Sequence, residues 1–111
     1  MGYYSDVVVV MSKEQWVRET LIGRMPIGIL NEFDSHTSTD SKVIWQTTGV
    51  KWNNAFPDVS TVYEWLSAME QDPDADSQFG FMRLGEEMGD VETVGWPYEF
   101  DVYPVQYIQI D

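Results

Sequence analysis

In Asp6-Val7-Val8-Val9-Val10-Met11-Ser12-Lys13-Glu14-Gln15-Trp16-Val17 the chain passes from a strand pattern to a helix pattern. Val7 to Val10 are four β-branched residues in a row. A short, wholly apolar run of this kind fits a strand covered on both faces, or the central strand of a small sheet. Ser12 and Gln15 then stand at the spacing of a capping box, in which the two side chains satisfy free backbone N–H groups at a helix start. Met11 and Trp16 occupy the flanking positions of a hydrophobic staple. Trp16, Val17 and Leu21 form one apolar stripe, Gly23 is the expected stop, and Met25-Pro26 discourages further helix.

Outward from this unit, residues 31–41 are polar and turn-rich and read as a loop. Lys42 to Gln46 and Val50 to Trp52 read as a hairpin around Thr47-Thr48-Gly49, followed by turn residues Asn53-Asn54. Pro57 and Asp58 open a second helix, with Asp58 the expected N-cap. Val59, Val62, Leu66 and Met69 mark its apolar face, flanked by Tyr63 and Trp65. Residues 72–76 read as a solvated connection. Phe79 to Leu84 and Val91 to Trp96 form a second hairpin around Gly85–Asp90. Phe100 to Ile110 suggests a final strand, broken by Pro104. The order β-α-β-β-α-β-β-β predicts one α+β domain over residues 1–111. Two helices pack on a mostly antiparallel sheet, and the first six elements follow the ferredoxin-like pattern.

Charge is divided unevenly along these 111 residues. Residues 1–56 hold six acids and five bases, net −1, whereas residues 57–111 hold thirteen acids and one base, net −12. Such a split speaks to partners and not to fold. Five Trp, six Tyr and five Phe supply core material that a disordered acidic tail lacks. The absence of Cys excludes disulfides and thiol chemistry. No apolar run approaches a membrane span, and the start matches neither a secretory signal nor a myristoylation site, so a cytoplasmic protein is expected.

The catalytic and ligand motifs are incomplete. Asp72, Asp74 and Asp76 copy the opening of a calcium loop, but Ser77 and Arg83 stand where that loop needs Gly and Glu. His36 is the only histidine and has no nucleophile signature beside it. Glu86, Glu87, Asp90 and Glu92 crowd a turn that looks exposed, whereas catalytic carboxylates need environments that separate their pKa values. Gly85 and Gly89 lack the Lys and Ser/Thr of a phosphate loop. Direct nucleic-acid binding lacks a basic patch, so Phe79 and Phe81 read as core and not as a stacking platform. No metal, cofactor or enzymatic activity is expected.

The acidic surface remains. Alternate residues of an extended chain lie ~6.6 Å apart, so Asp72, Asp74 and Asp76 make a spaced row. A duplex carries one charge per ~1.7 Å of axis, and a dense carboxylate surface competes for the same basic groove. Asp72, Asp74, Asp76, Glu86, Glu87, Asp90 and Glu92 are the expected contacts with a basic, nucleic-acid-handling protein. Two other readings stand beside it. Trp45, Trp52, Trp65 and Trp96 offer aromatic anchors for a partner or a homodimer. Carboxylates with His36 offer a small enzyme.

The opening Gly2-Tyr3-Tyr4-Ser5-Asp6-Val7-Val8-Val9-Val10 resembles the start of a group of small acidic bacteriophage proteins of unsettled function. Val50-Lys51-Trp52, Phe56-Pro57-Asp58-Val59 and Phe81-Met82-Arg83-Leu84-Gly85-Glu86 fit the same group. The resemblance spans most of the chain and rests on structural residues. It implies a phage accessory protein acting in the host cytoplasm, of a type that includes inhibitors of host defence and DNA mimics.

Overall fold

Val7 to Val10 form the middle of β1 (Ser5–Ser12), the central strand of a five-stranded sheet. The computed structural model describes residues 4–87, 89–102 and 104. Strands β2 (Ser35–Ser38), β3 (Lys42–Val50), β4 (Phe79–Leu84) and β5 (Val91–Gly95) complete the sheet in the order β2-β3-β1-β4-β5. Every neighbouring pair is antiparallel. Helices α1 (Lys13–Ile22) and α3 (Pro57–Glu70) form the two crossovers, and a single turn, α2 (Ile27–Leu30), follows α1. The class is α+β. The connections from β1 to β4 follow the ferredoxin-like succession, with β5 added beyond β4.

The odd residues of β1 face the helices, as a strand's alternation requires. Val7, Val9 and Met11 join Val43 and Trp45 of β3, Phe79 and Phe81 of β4, and Val62, Trp65, Leu66 and Met69 of α3 in one core. Val10 points to the other face and is also fully buried. A 3-10 turn, Pro97–Phe100, crosses that face over β4 and β1. The reading of Val7–Val10 as a strand covered on both sides therefore holds over this part of the sheet.

The expected loop 31–41 contains β2. Ser35, His36, Thr37 and Ser38 are all exposed, so this edge strand lacks the apolar alternation that marks a strand in sequence. Its turn is set by Thr39, whose Oγ1 accepts from the N–H groups of Ser41 and Lys42. The expected turn at Thr47-Thr48-Gly49 is instead continuous strand, and the hairpin partner of β3 is β2. Thr47 and Thr48 fit a pleated strand. Gly49 (φ 62°) sits at the β-bulge where the β1–β3 register shifts, and its N–H donates to Asp6.

Helix α1 begins and ends as its sequence predicts. Ser12 Oγ accepts from Gln15 N at 3.1 Å, and Gly23 (φ 81°) closes the C-terminus through its N–H to Glu19 O. The Gln15 side chain does not complete the capping box; it donates to Glu19 Oε2 at 2.9 Å. The helix also presents an unexpected face. Gln15 and Glu19 are buried, while Val17 and Leu21 of the apolar stripe are 45% and 82% exposed. The N-cap of α3 is Phe56, with Pro57 at N1, and Asp58 lies in the first turn without capping it. Phe100 ends a 3-10 turn, and the remainder of the expected C-terminal strand falls largely outside the described residues.

Candidate partner-binding surface

The two acidic stretches lie at opposite ends of β4. Residues 72–76 precede Phe79, and residues 86–92 follow Leu84. The strand between them spans five steps, roughly 16 Å at 3.3 Å per step. They form two patches, each built around arginines.

The first patch is anchored by a buried carboxylate. Glu19 accepts from Arg24 Nε at 2.6 Å, Arg24 Nη2 at 2.8 Å, Trp65 Nε1 at 2.8 Å and Gln15 Nε2 at 2.9 Å. A buried charge is tolerable only when paired and hydrogen-bonded in this way. The Glu19 carboxylate raises the Arg24 guanidinium above its usual pKa range. Arg24 also reaches Asp72 Oδ2 at 3.0 Å, and Arg18 reaches the same oxygen at 2.7 Å. Residues 73–75 are not a free connection. They form a 3-10 turn with Ala75 buried, capped by Asp72, which accepts from Asp74 N. That backbone bond, with the arginines, lowers the Asp72 pKa from 3.8. Asp74 and Asp76 lie on the outside, Asp74 with its side chain 82% exposed and 3.9 Å from Arg18 Nη2.

The second patch centres on Arg83. In the β4–β5 register Arg83 stands opposite Glu92. It donates to Asp90 Oδ1 at 2.8 Å, to Glu92 Oε1 at 3.1 Å and to Ser5 Oγ at 3.2 Å. Asp90 is the first cause of a raised Arg83 pKa, so the guanidinium stays charged. Glu92 also accepts a hydrogen bond from Tyr63, whose hydroxyl in turn accepts from Trp52 Nε1 at 3.0 Å. Asn53 and Asn54 join these groups around an open cleft of about 320 Å³. Glu86 and Glu87 lie on the exposed turn, with Glu86 accepting from Tyr4 N.

Burial, then the bond to Glu92, raises the Tyr63 pKa from 10.0 to about 12. The neutral phenol is thus favoured by folding. Its contribution is fully present below pH 10 and is lost as pH rises through about 12. In absorbance titrations, the difference between wild type and Tyr63→Phe is expected to show one phenol ionising near pH 12. A difference centred near pH 10 would contradict the arrangement.

The seven acids expected to touch a partner therefore divide. Asp72, Asp90 and Glu92 hold arginines within the fold. Asp74, Asp76, Glu86 and Glu87 are exposed, in two pairs. Among the described residues, no group of three or more His, Asp or Glu side chains is arranged to hold a metal ion. No helix among the described residues is long and apolar enough to cross a membrane. His36 stacks on Trp45 with centroids 5.2 Å apart and planes 4° from parallel. Of the four candidate aromatic anchors, Trp45 and Trp65 are buried, and Trp52 and Trp96 are half-buried against the core.

The sequence reading missed the outward turn of the α1 stripe, Tyr63 as partner of Glu92, and the Arg83–Glu92 pair. The last had a signal, since a hairpin around residues 85–90 brings Arg83 opposite Glu92. Comparison of the chain with protein-family models, with curated proteins and with solved structures finds no match.

Proposed function

We propose that this protein is a non-enzymatic docking protein whose acidic loops occupy the basic surface of a nucleic-acid-handling protein. The observation that carries this reading is the placement of the arginines. Arg24 and Arg83 are folded into internal ion pairs and Arg18 is shared between Asp72 and, at 3.9 Å, Asp74, so these arginines are already engaged within the fold while Asp74, Asp76, Glu86 and Glu87 stay exposed. A net charge of −13 also exceeds the ~2–8 that serves solubility in a small domain. The resemblance to small acidic phage proteins suits an inhibitor of a host defence protein that handles DNA or RNA. The geometry refines the contact. A partner must meet two acidic pairs, Asp74/Asp76 and Glu86/Glu87, at opposite ends of a strand roughly 16 Å long, and not one continuous row.

The test is a binding panel of purified nucleases and restriction or CRISPR components, competed with duplex DNA and repeated across a salt series. A cognate partner is expected to be displaced by DNA and to bind more weakly as salt rises. Asp74→Lys with Asp76→Lys, and Glu86→Lys with Glu87→Lys, are each expected to weaken binding at least tenfold. The two effects should nearly add, because the patches are well separated. Binding that ignores DNA, or that survives all four reversals, would count against the proposal.

A further inference from the structure

The apolar stripe of α1 is turned outward and held there. Gln15 and Glu19 anchor the opposite side of the helix to Arg24 and Trp65, so α1 cannot roll to bury Leu21 without breaking that network. Val17 and Leu21, four residues apart, share one side of the helix. Beside them opens an apolar pocket of about 160 Å³, lined among others by Trp16, Thr20, Met25, Ile27, His36 and Trp45. Trp16 and Thr20 of the pocket wall adjoin Val17 and Leu21 on α1, and Ile27 on the rim is itself half exposed. A knob and a hole thus stand side by side on one face.

We infer that two copies of this chain associate through this face about a two-fold axis, with Leu21 of each copy entering the pocket of the other. Three observations favour a second copy as the occupant. An interface about a two-fold axis is self-complementary, so each surface must carry both the projecting group and its socket, as this one does. An apolar cavity of ~150 Å³ accepts benzene, so the pocket has room for a leucine side chain. Charge is the third. None of the residues lining the pocket is acidic, nor are Val17 and Leu21 beside it, in a chain of −13. Two copies therefore meet where neither bears its acidic excess. The acidic loops are not needed for this contact, and the inference stands apart from the proposed docking function.

The two kinds of contact respond to salt with opposite sign. Screening weakens a contact between acidic loops and a basic partner, whereas it relieves the mutual repulsion of two −13 chains. Sedimentation velocity of the purified full chain, over a range of concentration and salt, is expected to show a monomer–dimer equilibrium that shifts towards dimer as salt rises. Leu21→Asp is expected to weaken the dimer at least tenfold with an unchanged circular dichroism spectrum. Ile27→Asp, on the pocket rim, is expected to do the same. A wild-type monomer at every concentration and salt would overturn the inference. So would a dimer indifferent to both substitutions, or one disrupted by charge reversal at Asp74 and Asp76 instead.

Discussion

Replacing Glu19 by Ala is expected to remove roughly 3–5 kcal/mol of folding stability, the usual cost of breaking a buried ion pair from one side. That is a large share of the ~5–15 kcal/mol a domain of this size possesses. The carboxylate is fully buried and serves four N–H donors on three residues. Removing it leaves the Trp65 indole N–H and the Gln15 amide without their acceptor, and leaves Arg24 to Asp72 alone. Glu19→Gln keeps the volume but turns an N–H₂ group towards N–H donors, and is expected to cost about 2–3 kcal/mol. Urea unfolding at neutral pH measures both. A loss below about 1 kcal/mol for Glu19→Ala would show that the network does not hold α1 in place.

The same comparison of magnitudes explains why α1 defies its own sequence. Burying Leu21 fully gains ~1.5–3 kcal/mol. Breaking the Glu19 network from one side costs ~3–5 kcal/mol, the larger amount. The network outweighs the stripe, so the helix presents its polar side to the core. A sequence window sees Val17 and Leu21 in register; it does not see Trp65, 46 positions away.

Other parts of the fold were legible because their signals are local. The Val7–Val10 run, the Ser12 cap, the Gly23 stop, the apolar face of α3 and the 79–84/91–95 hairpin all depend on residues a few positions apart. The edge strand β2 escaped because four exposed polar residues carry no period. Gly49 was misread because a glycine at positive φ serves a bulge as well as a turn. The candidate surface was legible in composition and not in role. Asp72 lies 54 and 48 positions from the arginines that hold it, so nothing nearby distinguishes it from the exposed Asp74.

Gly80→Ala is expected to destabilise the protein by about 2–3 kcal/mol, in the range for overpacking, although it adds one methyl group. The midpoint of thermal unfolding should fall by on the order of 10 °C. At Gly95 (φ 72°) the chain leaves β5 and turns back over the sheet, with Trp96 N donating to Phe79 O at 2.9 Å. Trp96 then sets its ring edge-on to Phe79, and Pro97 settles directly on Gly80. A Cβ there would lie 2.5 Å from Pro97 N, 2.9 Å from Trp96 C and against Pro97 Cα. All three are backbone atoms, so no rotamer change relieves the overlap. Either β4 leaves its ladder with β1 or the Trp96–Phe100 segment lifts from the sheet. The second path breaks fewer hydrogen bonds, and it uncovers Val10 and Pro97, both buried. Amide exchange separates the two. Faster exchange at Trp96 with β4 still protected indicates lifting, and the Trp65 indole N–H should keep its shift because the Glu19 network lies on the other face of the sheet. An unchanged midpoint with Trp96 still protected would mean that Pro97 does not rest on Gly80. In that case the opposite face of the sheet would be more open than the burial of Val10 requires.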